Sequence, residues 1–299
     1  MKRIMFDEVR NNKIKSGLLI SLFLIVIGIL GGVIGVVTGS VSFGVVIAVI
    51  FSLVYTLIGY YSGDSLILSM SGARIATKKE FPFLINTLEG LSIAAHIPMP
   101  KAYVIDDSAL NAFATGRDPE HAAITVTTGL LKTMNRQELE GVIAHEMSHI
   151  KNYDIRFMML AAVLVGVITL LSDFLLRMFW WGGKDNERRG GNAAVILIVI
   201  GFILAILSPL IGQLIKLALS RKREFLADAN GALLTRYPPG LASALKKIKK
   251  DADPLVDRAN KATAHLFISV PFRKGQGMMT TLFSTHPPID ERIKRLEEM

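Results

Sequence analysis

Four apolar stretches decide most of what this chain can become. They run roughly 17–37, 41–61, 155–176 and 193–219, each long enough to cross a bilayer, which takes about 20 helical residues. The break at Gly39 and Ser40 is short and uncharged, so the first two stretches form a hairpin. A polar, Gly-rich turn at 182–192 separates the second pair. The first stretch is too long for a cleaved leader, and another follows it at once. Composition agrees: 51% of the 299 residues are hydrophobic and the mean hydropathy is +0.43. The net charge of +9 then reads as the basic flanks of membrane spans rather than as a nucleic-acid face. No zinc-finger or RNA-binding motif accompanies it, so no nucleic-acid partner is expected.

Lys2, Arg3, Arg10, Lys13 and Lys15 precede the first span and predict a cytoplasmic N-terminus. An even number of crossings returns the chain to that side each time. It divides into a hairpin (1–63), a polar block (64–154), a second hairpin (155–220) and a second polar block (221–299). Lys184, Arg188 and Arg189 in the second turn run against the charge rule, with Asp185 and Glu187 offsetting them in net charge. Asp173 and Arg177, spaced i,i+4 near the end of the third stretch, read as a local ion pair.

In the polar blocks, Phe81, Leu84, Leu88 and Leu91 predict an amphipathic helix over 79–95. Strands are expected at 102–105, 111–115 and 122–128, the last two joined by a turn at 116–120. Asn135 and Glu138 form a capping-box pattern that opens the next helix. Helices are also expected at 224–234, ending at Pro238 and Pro239, at 241–250, and after Pro288. Residues 251–285 read mostly as loop, with a strand at 265–270. The fold class is α+β: a mainly helical domain with a small antiparallel sheet, plus four transmembrane helices in two hairpins.

The capped helix carries His-Glu-Met-Ser-His at 145–149. Two histidines at i and i+4 share one helix face and can grip one metal ion, with Glu146 placed to take a proton from water. The flanking Arg136, Glu138 and Lys151 keep this helix out of lipid. With no cysteine in the chain, thiolate zinc sites are excluded and any zinc must use His and carboxylate ligands. Glu224 is the best third ligand, with Asp228 one turn on as an acceptor for a ligand imidazole. Spacing alone equally allows a solvated helix face on which Glu224 balances Arg221, Lys222 and Arg223. Topology favours the ligand, because His149 lies just before one span and Glu224 just after the next. Among the other histidines, His96 reads as a helix cap, His121 as solvated and His265 as a core residue. His286 is held by Pro287 and Pro288 and is able to donate a hydrogen bond to an oxyanion.

At this point the residues resemble the HtpX-type membrane zinc metalloproteases, relatives of the CAAX prenyl proteases. The matching stretches are LNAFATGR (110–117), TTGLL (127–131), GVIAHEMSHIKNYD (141–154), REFLAD (223–228), ATAHLFI (262–268) and STHPPI (284–289). The resemblance implies a zincin-like domain with one Zn2+ on His145, His149 and Glu224, and Glu146 as general base. It implies that Asn111, Ala112 and Phe113 lie on the strand that receives substrate, and that His286 acts in the transition state. It also implies quality control of misfolded or damaged membrane proteins under stress, at the cytoplasmic face of a bacterial plasma membrane. The lipid bilayer and unfolded or membrane polypeptides are the expected partners. Two other readings are a prenyl-CAAX endopeptidase, which needs a chamber for a lipidated tail, and a non-catalytic zinc carrier or sensor, which has no need of Glu146. A purely structural adaptor leaves the histidine–carboxylate set unexplained.

Overall fold

Helices α1 (Lys2–Thr38) and α2 (Val41–Met70) form the expected N-terminal hairpin in the computed structural model, which describes residues 2–164, 167, 199, 221–251, 268 and 287–299. Their backbones meet at small residues. A Cβ on Gly44 would fall 2.3 Å from the Gly31 carbonyl oxygen, so only glycine allows this approach. Two segments, Val9–Gly32 and Val41–Met70, are long and apolar enough to cross a membrane. Phe43, Phe51 and Ile58 on α2 remain 56–65% exposed, an apolar exterior suited to lipid.

α2 continues to Met70 instead of ending near Tyr61. The reason is packing: Ile67 is buried in a cluster with Ile105, Phe113, Phe157 and Met159. The last turns of α2 therefore belong to the core beneath the polar block. Residues 154–164, which lead into and begin the third apolar stretch, are helical and mostly buried. Val163 and Met159 lie against Gly59 and Gly63 of α2, at 2.7 and 3.1 Å from where a Cβ would stand. The rest of the second expected hairpin, with Asp173, Arg177 and the turn at 182–192, lies outside the described residues apart from Val167 and Val199. The described residues thus hold two membrane-length helices where four were expected.

Four strands form one sheet in the order β1 (Arg74–Ile75), β2 (Lys101–Ile105), β4 (Ala122–Thr127), β3 (Ala112–Gly116). β3 and β4 make the predicted antiparallel hairpin, closed by a short turn at Pro119–His121 that Asp118 caps. The sheet is mixed, which corrects the antiparallel expectation: β2 and β4 run parallel. The hairpin docks with β4 inward, so its second strand, not its first, lies beside β2. Alternation along β3 then serves two cores. Ala112 and Ala114 join Ile124, Val126, Leu139 and Val142, whereas Phe113 points into the cluster with Ile67. β1 had no counterpart in the sequence reading.

α3 (Pro82–Ala95) starts on its proline, later than periodicity suggested, because Pro is well suited to the first helical position. The same holds for α7 (Pro238–Lys250), which begins on the proline pair expected to precede it. α4 (Thr128–Thr133) is short and was not foreseen. α5 (Arg136–Lys151) opens with both arms of the predicted capping box: Glu138 N–H donates to Asn135 Oδ1 at 3.0 Å, and Asn135 N–H to Glu138 Oε2 at 2.8 Å. Glu138 also accepts from Ser243 and Lys247 on α7. α5 is buried without a break over 141–150, with α6 (Arg221–Thr235) and α7 packed on it. Glycine again sets the closeness: a Cβ on Gly231 of α6 would lie 3.0 Å from the His145 backbone nitrogen. α8 (Ile289–Glu297) follows Pro288 as predicted.

Candidate metal centre

His145 and His149 stand one turn apart on α5 with their rings nearly perpendicular, at 87°. Their Nε2 atoms are 3.2 Å apart. Glu224, on α6, reaches across the helix pair: Oε2 lies 3.6 Å from His145 Nε2 and Oε1 lies 3.6 Å from His149 Nε2. All three side chains are buried, and their ligand atoms fall within 4.8 Å of one another. Zinc–nitrogen bonds of about 2.05 Å at tetrahedral angles separate two ligand atoms by about 3.3 Å. The spacing of this trio is close to that edge, so the residues fit a small divalent cation.

The far side of each ring supports the same orientation. His145 Nδ1 is 2.9 Å from Asp228 Oδ1, and His149 Nδ1 is 2.9 Å from Asp154 Oδ2. An imidazole that donates Nδ1–H to a carboxylate presents its Nε2 lone pair outward, the usual support for a metal-binding histidine. Burial alone would lower the His149 pKa, but the Glu224 charge and the Asp154 hydrogen bond outweigh it and hold it up at about 9. A cation bound at Nε2 would take the place of the proton that these charges favour there. Burial alone would raise the Asp228 pKa, yet Arg292 and His145 hold it down at about 2.

Arg292 and Asp154 are the two members of this cluster that sequence reasoning missed. Arg292, on α8, is 1% exposed and pairs with both oxygens of Asp228, at 2.9 and 2.7 Å. Its Nη2 lies 3.4 Å from the His145 ring nitrogens, and its Nη1 lies 4.0 Å from Glu224. The signal was present: Ile289, Arg292, Ile293 and Leu296 share one helical stripe, so a cation sits on the buried face. Asp154 follows His149 by five residues and accepts from Arg223 at 3.0 Å as well.

Glu146 is 3% exposed beside this cluster, and its charge acts on both His149 and Arg292. Asn111, Ala112 and Phe113 are buried at the start of the edge strand β3. Ala112 N–H donates to the Asn111 side chain, and its carbonyl accepts from Ile268 N–H at 3.0 Å. His96 takes the left-handed cap position of α3, and His121 is an exposed partner of Asp118. His265 and His286 lie outside the described residues.

Comparison with known proteins decides the family. Residues 78–299 match peptidase family M48. The chain belongs to peptidase family M48. Among M48 relatives, a protease HtpX homolog of Dictyoglomus thermophilum is 53% identical over 240 residues, covering 80% of this chain and 77% of the relative. HtpX homologs of Tropheryma whipplei and Caldanaerobacter subterraneus are 46% and 45% identical and are matched over 99% of their lengths. The crystal structure of S. mikatae Ste24p shares the fold at a TM-score of 0.52 and 19% identity. That match covers 94% of this chain and 62% of Ste24p, so the chain spans under two thirds of that protein. The M48 assignment makes the chain a metalloendopeptidase. Its HtpX relatives and the two helices long and apolar enough to cross a bilayer point to a membrane protein.

Proposed function

We propose that this M48 chain is a zinc-dependent endopeptidase that cleaves misfolded or damaged membrane proteins at the cytoplasmic face of a bacterial plasma membrane. The observation that carries the reading is the convergence of His145 Nε2, His149 Nε2 and the Glu224 carboxylate beside Glu146, in a domain packed onto an apolar hairpin. One zinc ion bound by these three residues would acidify water and polarise a carbonyl. Glu146 accepts the proton of the attacking water and delivers it to the leaving amine nitrogen as the C–N bond breaks. Asp228 and Asp154 hold the two imidazoles in the tautomer that faces the cation. His286 donates to the developing oxyanion, a role resting on its place in the STHPPI segment.

Substrate pairs as an added strand along the outer edge of β3, beginning at Asn111, Ala112 and Phe113. At Ala112 it takes the carbonyl now bonded to Ile268. Such pairing reads main chain more than side chain, so it suits unfolded segments of many sequences. Phe113 packs with Ile67 of α2, which puts that strand close to the membrane anchor. The basic residues ahead of the first span support a cytoplasmic location for this side.

The reading is tested with full-length protein purified in detergent. It should cleave an unfolded membrane protein, lose that activity to a strong chelator and regain it with zinc. A zinc-loaded chain that cuts only prenylated tails, or nothing, contradicts the proposal.

A further inference from the structure

Asn12 lies on α1, among the basic residues ahead of the apolar run at 17–37, yet it is fully buried. Its Nδ2 donates to Asp154 Oδ1 at 2.7 Å and to the Asn152 carbonyl at 2.8 Å. Asp154, itself 0% exposed, gives its other oxygen to His149 Nδ1. One carboxylate thus separates the N-terminal membrane helix from a candidate metal ligand. Asp154 Oδ1 also accepts from Arg223, the neighbour of Glu224. Asp154 therefore ties together α1, the end of α5 and the start of α6.

We infer that Asn12 is a positioning residue of the metal centre, and that the centre is complete only when the N-terminal membrane helix is docked against it. The inference rests on the proposed role of His145, His149 and Glu224, and extends it to the membrane anchor. The chemistry of the contact argues for it. Both partners of Nδ2 are acceptors, so the position needs a donor, and the charge-neutral amide supplies one without competing with Arg223. The contact also clamps a strained turn. Tyr153, between the two acceptors, has φ +61°, a left-handed conformation unusual for a bulky residue. Asn152 and Asp154 on either side are both held by Asn12. Freed from that clamp, the turn relaxes and the Asp154 carboxylate swings from the His149 ring. Ser16 Oγ donates to the Asn12 carbonyl one turn on, and both residues are buried while Asn11 and Lys13 beside them are exposed. The consequence is a chain that holds its metal tightly only once its anchor is in place.

The test uses the full-length protein in detergent. Zinc affinity is measured by competition with a chromophoric chelator, and geometry by the visible bands of the cobalt-substituted protein. Asn12→Asp keeps the volume but turns an acceptor toward two acceptors, Asn12→Leu removes the donor, and Asn12→Ser is a milder variant in case either fails to fold. A direct partner of a metal ligand, here Asp154, typically contributes about 10–100-fold in affinity, which is the ceiling for a residue that acts through it. Zinc binding should weaken measurably but by no more than that factor in the Asp and Leu variants, less in the Ser variant, with altered cobalt bands. Asn11→Asp, at the exposed neighbour, should match wild type in both. Asn12 variants with wild-type zinc affinity and cobalt bands overturn the inference, even if they melt earlier, since that would make Asn12 a structural anchor alone. A wild-type chain that binds no zinc overturns the metal-centre reading and this inference with it.

Discussion

Glu146→Gln is expected to keep its metal and lose its peptidase activity. The substitution preserves shape and removes only the capacity to take a proton. Glu146 is not one of the three converging ligands, so His145, His149 and Glu224 remain to hold the cation. Proton transfer by a positioned side chain typically contributes about 10²–10⁴-fold to rate, and kcat on an unfolded substrate should fall by about that factor. Zinc content measured on the same preparation should stay at the wild-type value. A variant that cleaves at the wild-type rate rules out the general-base role.

Arg292→Met should cost more stability than any surface change. The guanidinium is buried against Asp228, whose carboxyl it helps to hold at about 2. Removing one member of a buried ion pair leaves the other charge uncompensated, at a cost of about 3–5 kcal/mol. Asp228 would then rely on His145 alone, and the ring would lose its fixed orientation. The midpoint of thermal unfolding in detergent should fall sharply, with weaker zinc binding. Lys294→Met, on the same helix but 77% exposed at its side chain, should stay within about 0.5 kcal/mol of wild type. Equal melting of the Arg292 variant and wild type would show that the buried pair does not hold α8 to the centre.

The features legible in the sequence were those set by local spacing. Asn135 and Glu138 announce the start of α5 three residues apart. His145 and His149 share a face because a helix turn is 3.6 residues. Glu224 and Asp228 follow the same rule, and the structure brings both to the histidines. The β3–β4 hairpin was legible because its turn is short. What escaped depends on partners far along the chain. The parallel pairing of β2 with β4 follows from which side of the hairpin docks, and no local pattern encodes that. Asn12 reads as one more polar residue in a basic stretch until it meets Asp154, 142 positions away. Arg292 was overlooked because its helix was read only as a terminal element, although its place on an apolar stripe marked it as buried. α2 was cut short at its aromatic pair because hydropathy shows where lipid contact fades, not where a helix passes into a protein core.

The central claim is that two imidazoles of α5 and one carboxylate of α6 hold a single zinc ion. Elemental analysis of wild type and Glu224→Ala, purified in parallel and dialysed against metal-free buffer, tests it most directly. The account predicts about one zinc per wild-type chain and almost none in the variant, because a catalytic zinc is held by three protein ligands. Equal zinc in the two proteins would contradict it.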